Sequence, residues 1–272
     1  LLYYNGKGYV KYILIFGGVD MKRIICLLLV AAMAALVLTS CGESGSSSAT
    51  ETKQTLVMAT NAEFPPYEYK EGDKIVGIDA EVMQAIADDL GMELVIEDME
   101  FDSIIPAVKS GKADVGAAGM TVREDRLENV DFTDTYAKAK QVVIVKEDSS
   151  IASLDDLTGK TIGVQQGTTG DIYAADEYGD ENVERYSKGY EAVQALSQGK
   201  IDAVIIDNEP AKVFVSQTPG LKMLDEPFAD EEYAICVQKG NTELLNKLNA
   251  SLQKLKDNGK FQEIIDKYIT AD

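Results

Sequence analysis

Two stretches of this chain repeat one another. Residues 105–115 (IIPAVKSGKADV from Ile104 onward) and 191–204 (EAVQALSQGKIDAV) each carry an apolar helical face that stops at a glycine, Gly111 or Gly199. Lys-x-Asp follows in both, as Lys112 and Asp114 or Lys200 and Asp202, and then an apolar run of strand type. Chance likeness of two α/β units is the alternative. A second echo favours duplication: an apolar strand opens each half, at residues 56–60 and 161–164. A repeated helix–strand unit buries its apolar faces only in a sheet flanked by helices.

The pattern between the echoes agrees. Residues 79–90 place Val82, Met83, Ile86, Ala87 and Leu90 at helical spacing before Gly91. Residues 94–96 and 113–118 read as strands, and 101–110 as a helix. The alternation predicts an α/β chain of two lobes, each a mostly parallel sheet flanked by helices. Lobe 1 takes residues 55–144 and 236–272, because the helical segments 242–258 and 260–269 have no place in lobe 2, residues 145–235. The chain then crosses twice, near 142–145 and 234–237. Two strand-like crossovers make a hinge, and a hinge makes a cleft.

The N-terminal region reads as an address. Met21 is followed by Lys22 and Arg23, an apolar run over 24–38, and Leu38-Thr39-Ser40-Cys41. That is a signal peptide over residues 21–40 with a small-residue cleavage site; the apolar run is shorter than the roughly 20 residues a spanning helix needs. Residues 1–20 read as upstream translation, with a genuine extension as the alternative. Residues 41–54, rich in Ser, Gly and Thr, read as a flexible tether.

Composition removes most chemistry. The chain carries 26 Lys+Arg against 46 Asp+Glu, a net charge of −20, and no histidine. Such charge argues against nucleic acid and anionic membrane surfaces as partners. Without histidine there is no Ser/His or Cys/His triad and no imidazole-built zinc site. Of three cysteines, Cys26 lies in the leader and Cys41 at its end, so Cys236 remains, in an apolar context that suits a buried thiol. No catalytic residue, metal or cofactor is expected.

Ligands of open α/β sheets sit beyond the carboxyl ends of the strands. After the first strand come Asn61, Phe64 and Tyr67, on a loop stiffened by Pro65 and Pro66. After 115–118 come Gly119, Thr121 and Arg126, where small residues at Ala117, Ala118 and Gly119 admit a ligand to the backbone. Arg126 forks onto a carboxylate there, or pairs at the surface with Glu124 or Glu128. In the second half, Gln165 to Gly170 (QQGTTG) forms an anion-receiving turn without the P-loop ending. Asp207 closes a strand, where it binds an ammonium or caps the next helix. Arginine and aspartate on opposite sides of a cleft describe a trap for a zwitterion, and so an α-amino acid.

Gly77-Ile78-Asp79-Ala80-Glu81-Val82, the run from Phe101 to Arg126, Asp131-Phe132-Thr133-Asp134 and Gly167-Thr168-Thr169 together resemble the extracellular solute-binding proteins, family 3, of polar amino acid ABC importers. The glutamine-binding and lysine/arginine/ornithine-binding proteins belong to that family. The resemblance covers residues 56–270 and implies the two-lobed type II periplasmic-binding-protein fold. It implies that Phe64 stacks on the ligand and that Phe101 is a second ring. Ala118 and Gly119 offer backbone to the α-amino and carboxylate groups, and Thr121 a hydroxyl. Arg126 clamps the α-carboxylate with Thr168 and Thr169, and Asp207 partners the α-ammonium. Asn61 stands where the family often has Asp, and Gln165 where the glutamine binder has Lys. The first change weakens the case for a basic ligand, unless Glu63 supplies the charge; the second weakens the case for glutamine.

Leu38-Thr39-Ser40-Cys41 itself resembles the bacterial lipobox, which implies lipid on Cys41 tethering the protein outside the cytoplasm to the cell membrane. Implied partners are an amino acid, a permease and its ATPase, with the protein itself a monomer and no enzyme. A prephenate- or arogenate-type dehydratase on this fold, with Glu63 or Glu209 as acid or base, and a ligand-sensing module are the alternatives.

Overall fold

The computed structural model describes residues 54–269; the leader, Cys41 and almost all of the tether lie outside them. The first sheet has the order β5-β1-β6-β14-β7. Strand β1 (Thr55–Thr60) pairs in parallel with β5 (Glu93–Asp98) and with the central β6 (Val115–Gly116). On the other side β14 (Cys236–Gln238) runs antiparallel to β6 and to β7 (Val130–Phe132). Strand β6 is only two residues long, against the expected 113–118; Ala117 still donates its N–H to the Ala59 carbonyl (3.1 Å) before the chain leaves the ladder. A small three-stranded sheet of β2 (Glu63–Phe64), β3 (Glu68–Glu71) and β4 (Lys74–Val76) follows β1.

The second sheet runs β10-β9-β11-β8-β12, with β13 also paired to β8. Strands β10 (Val183–Tyr186) and β11 (Ala203–Asp207) lie parallel to β9 (Ile162–Gln165). Strand β8 (Ala137–Lys146) is antiparallel to β11, β12 (Leu221–Met223) and β13 (Ala229–Tyr233). The expected first crossing at 142–145 is therefore displaced. Val142, Val143, Ile144 and Val145 are buried between β11 and β12, and the chain leaves the first sheet between Phe132 and Ala137. The return lies between Tyr233 and Cys236.

The echoed segments are structural equivalents. Helix α2 (Phe101–Lys109) ends before left-handed Gly111, and α5 (Gly189–Ser197) before left-handed Gly199. Asp114 then accepts the Val57 N–H at 2.8 Å and returns its own N–H to the Val57 carbonyl. Asp202 makes the same two bonds with Thr161. Each aspartate staples the start of a strand to the neighbouring strand.

Helix α1 (Ile78–Asp89) buries Ile78, Val82, Met83 and Ile86. Against it lie α7 (Thr242–Asp257) and α8 (Lys260–Tyr268), which contribute Leu248, Leu252, Leu255 and Ile264 to the same apolar cluster. Burying four such side chains supplies roughly 6–12 kcal/mol of gross transfer free energy before entropy is subtracted. Ser251 and Tyr268 add bonds to Asp89 (2.7 Å) and Glu81 (2.6 Å). The C-terminal helices thus return to the first sheet, as their lack of a place in the second requires.

Candidate functional site

Twelve residues from both sheets surround one pocket with about 300 Å³ of atom-free space. They are the eleven expected from the sequence, Asn61, Phe64, Phe101, Ala118, Gly119, Thr121, Arg126, Gln165, Thr168, Thr169 and Asp207, together with Glu68. The structure brings all eleven together; what each contributes follows from its bonds.

Arg126 lies in α3 (Glu124–Leu127) and turns inward, 5% exposed, instead of pairing with Glu124 or Glu128. Its guanidinium donates to the Thr121 carbonyl (2.9 Å) and the Gly167 carbonyl (3.3 Å), and stacks 5.3 Å from the Phe101 ring centre. Two of five donors are spent on this scaffold, so a preoriented fork remains. Burial lowers its pKa, and a guanidinium keeps its charge in proteins. Gly119 is left-handed (φ 51°), and a Cβ there would stand 3.0 Å from the Phe64 ring; glycine is what lets the ring and the backbone share this wall.

From the second sheet, Asp207 ends β11 and precedes α6 (Asn208–Gln217). Its carboxylate makes no cap bond, and accepts instead from the Tyr233 hydroxyl. Burial, then the nearby Glu231 charge, push its pKa up to about 7. An ionised Asp207 is therefore short of positive charge.

The threonines divide. Thr168 caps α4 (Thr169–Tyr178): its hydroxyl accepts from Asp171 N–H (3.3 Å) and donates to the Gln165 carbonyl (2.7 Å). Thr169 accepts from Gln141 at 3.2 Å and keeps its proton to donate into the pocket. Thr121 gives its proton to Glu231 at 3.0 Å, which leaves its oxygen as an acceptor. Gln141 joins these groups by donating also to Glu231 (3.0 Å).

Besides the bonds from Arg126 to Gly167 and from Thr121 to Glu231, further side-chain contacts cross between the two halves. Gln165 donates to Asn61 (2.8 Å), Lys188 pairs with Glu63 (2.7 Å), and Gln166 donates to Asp102 (2.8 Å). Asn61 is committed at both ends, since its own amide donates to the Met99 carbonyl at 2.8 Å. Glu63, which the sequence leaves open as a charge for the ligand side chain, is tied to Lys188 and is not among the lining residues.

Glu68, Gln141 and Glu231 were missed. Gln141 and Glu231 carried a signal: each falls on the buried phase of an alternating strand, with Ala139 or Tyr233 on the same face. Glu68, between Tyr67 and Tyr69 in a four-residue strand, carried none.

The model of the bacterial extracellular solute-binding proteins, family 3, matches residues 56–271. The arginine-binding extracellular protein ArtP of Bacillus subtilis (strain 168) is 37% identical over 251 residues, covering 90% of this chain and 98% of that protein. The ABC transporter glutamine-binding protein GlnH of the same organism is 31% identical over 270 residues, 93% of this chain and 99% of that one. Among solved structures, an ancestral arginine-binding protein bound to arginine is 42% identical with a TM-score of 0.76, covering 80% of this chain and 99% of that chain. The fold, two helix-flanked α/β sheets, matches that of type II periplasmic binding proteins. This chain belongs to the bacterial extracellular solute-binding proteins, family 3.

Proposed function

We propose that this protein captures a polar L-α-amino acid between its two sheets and hands it to an ABC-type import permease. The observation that carries the reading is the pocket itself: a buried arginine fork on one side, a buried aspartate on the other, and aromatic rings at Phe64 and Phe101. Arg126 and the Thr169 hydroxyl receive the α-carboxylate, and Asp207 receives the α-ammonium. Lobe 1 and lobe 2 rock about the segments 133–136 and 234–235, and the cross-cleft bonds of Asn61, Glu63 and Asp102 hold the closed state. Closure removes water, which strengthens each charge-assisted bond.

Arginine is the favoured cargo. A guanidinium stacks well on the rings of Phe64 and Phe101, and the pocket carries more acidic than basic groups. Named relatives bind arginine, and one binds glutamine. Both ligands end in a planar nitrogen-bearing group, which matches the amide pair of Asn61 and Gln165.

The protein works as a binder, not an enzyme. The general acid or base of a dehydratase has no candidate in the pocket at Glu63 or Glu209, since Glu63 is paired with Lys188 and Glu209 with Lys212 (3.1 Å), and neither lines it. Residues 21–40 direct export, and lipid on Cys41 holds a monomer at the outer face of the cell membrane through the tether.

Calorimetric titration of the ligand-stripped protein with L-arginine, L-lysine, L-histidine and L-glutamine tests the reading. Tight binding of L-arginine is the expected result; the absence of binding by any amino acid rejects it.

A further inference from the structure

Glu231 stands behind the pocket and does not line it. It lies on β13, two residues before the return crossing that begins at Tyr233, and is 6% exposed. One of its carboxyl oxygens, Oε2, accepts twice: from the Thr121 hydroxyl and from the Gln141 amide, each at 3.0 Å.

A glutamine amide has two N–H bonds to give, and the second from Gln141 goes to the Thr169 hydroxyl oxygen at 3.2 Å. Thr169 therefore accepts from behind, and its own proton is left for the cavity it lines. This orientation of Gln141 is unfavourable at its other end. The Gln141 Oε1 oxygen is buried and no donor reaches it. That oxygen and the Ile205 carbonyl stand 2.9 and 3.1 Å from the point a Cβ on Gly170 would take, so two acceptors flank one spot. Turned over, the amide would bring its nitrogen to that region and its oxygen to Thr169. Thr169 would then donate backwards and offer the ligand no proton.

Two carboxyls oppose that turn. Asp207, opposite Gln141 in the ladder between β8 and β11, draws on the same amide nitrogen. In the loaded pocket, on the amino-acid reading above, its charge goes to the ligand ammonium. Glu231 has no ligand to serve, and its accepting oxygen repels the amide oxygen of a turned Gln141. We propose that Glu231 is a positioning residue for the α-carboxylate: it fixes Gln141, and through Gln141 it makes Thr169 a donor. The assignment rests on the amino-acid reading and gives Glu231 no ligand contact of its own.

The test compares L-arginine with L-argininamide, in which a carboxamide replaces the carboxylate. A donor at Thr169 favours the first, and an acceptor there favours the N–H groups of the second. In the native protein L-arginine binds more tightly. Glu231→Met removes the acceptor at similar volume, and the preference for L-arginine is expected to shrink at least about tenfold, the order of one hydrogen bond to a charged group. Both compounds keep the ammonium, so a change at Thr121, whose proton Glu231 also takes, cancels in the ratio. A general loosening of the fold cancels likewise. In a Thr169→Val background the Met substitution is expected to leave the ratio within about twofold, because the hydroxyl it acts through is gone. Thermal melts establish that each variant is folded. Should the Met variant not fold, neutron diffraction from crystals of the native protein with L-arginine decides. It is expected to place the Gln141 nitrogen towards Glu231 and Thr169, and the Thr169 proton towards the carboxylate.

An unchanged preference in Glu231→Met, an equal loss in the Thr169→Val background, or a Gln141 oxygen facing Thr169 overturns the assignment while leaving the amino-acid reading intact. Failure of the native protein to bind any amino acid removes both. If L-glutamine binds in place of L-arginine, the same comparison with its α-carboxamide decides.

Discussion

Gln165 donates a 2.8 Å hydrogen bond to Asn61 across the cleft, so an amide from each half of the protein closes the same pocket. Neither side chain carries charge, and both the carbonyl oxygen and the amide nitrogen of Asn61 already have a partner. Asn61→Asp keeps an acceptor for Gln165 and places a carboxylate in the wall. The ratio of affinities for L-arginine over L-glutamine should rise about tenfold or more, at some cost to stability because the bond to the Met99 carbonyl is lost. Competition calorimetry with the two amino acids measures it.

Adjacent threonines should separate binding from folding. Thr168→Ala removes a helix cap and should lower stability by about 1 kcal/mol, visible in a denaturant melt. Thr169→Val removes a donor aimed at the ligand carboxylate and should weaken binding about 10- to 100-fold. The reverse pattern would place the carboxylate contact on Thr168.

The Glu63–Lys188 pair is about one-third exposed on each side, so its contribution to stability is small. Its effect should appear in kinetics. Lys188→Ala is expected to speed ligand release severalfold, and added salt to do the same in the native protein, in stopped-flow displacement. Fold stability should move by less than about 1 kcal/mol.

Affinity should depend on pH through Asp207. Its pKa is raised to about 7 in the empty pocket, where Glu231 and Glu68 also face it. Binding an ammonium requires the ionised form, so a proton leaves on binding below that value. Affinity should fall up to about tenfold per unit as pH drops below 6, and level off above 7. The fold responds with the opposite sign. A carboxyl raised in the folded state costs stability as pH climbs from its unfolded value of about 4 towards 7. Calorimetry in buffers of different ionisation enthalpy counts the proton, and Asp207→Asn should abolish that count.

Two glycines, one in a strand of each sheet, should differ in tolerance. A Cβ on Gly116 meets Cys236 Sγ and Ile104 Cγ2 at 2.7 Å, both on short, fully buried side chains. A Cβ on Gly163 meets chiefly Ile201 Cδ1 at 2.4 Å, the far end of a side chain that can turn. Gly116→Ala should cost about 1–3 kcal/mol in thermal or urea melts, and Gly163→Ala less.

The duplication was legible because both copies end their helices with the same glycine and aspartate, and those residues make the same bonds in the structure. The pocket was legible at strand ends, where residues such as Arg126 and Asp207 have no packing reason to be. The hinge was misplaced because β8 changes character along its length. Lys138 and Lys140 alternate with buried neighbours, then 142–145 are buried on both faces, which reads like a crossing strand but is the middle of the second sheet. Glu68 was invisible because its burial depends on α1 and the second sheet closing over a strand that looks exposed in isolation.

The central claim is that opposite walls of the cleft hold the two charged ends of one amino acid. L-arginine titrations of Arg126→Lys and Asp207→Asn test it directly, with melting curves to establish folding. Loss of at least about 100-fold in both variants is predicted, because a lysine cannot reproduce the fork and an amide cannot neutralise an ammonium. A folded variant of either kind that binds L-arginine within threefold of the native protein contradicts it.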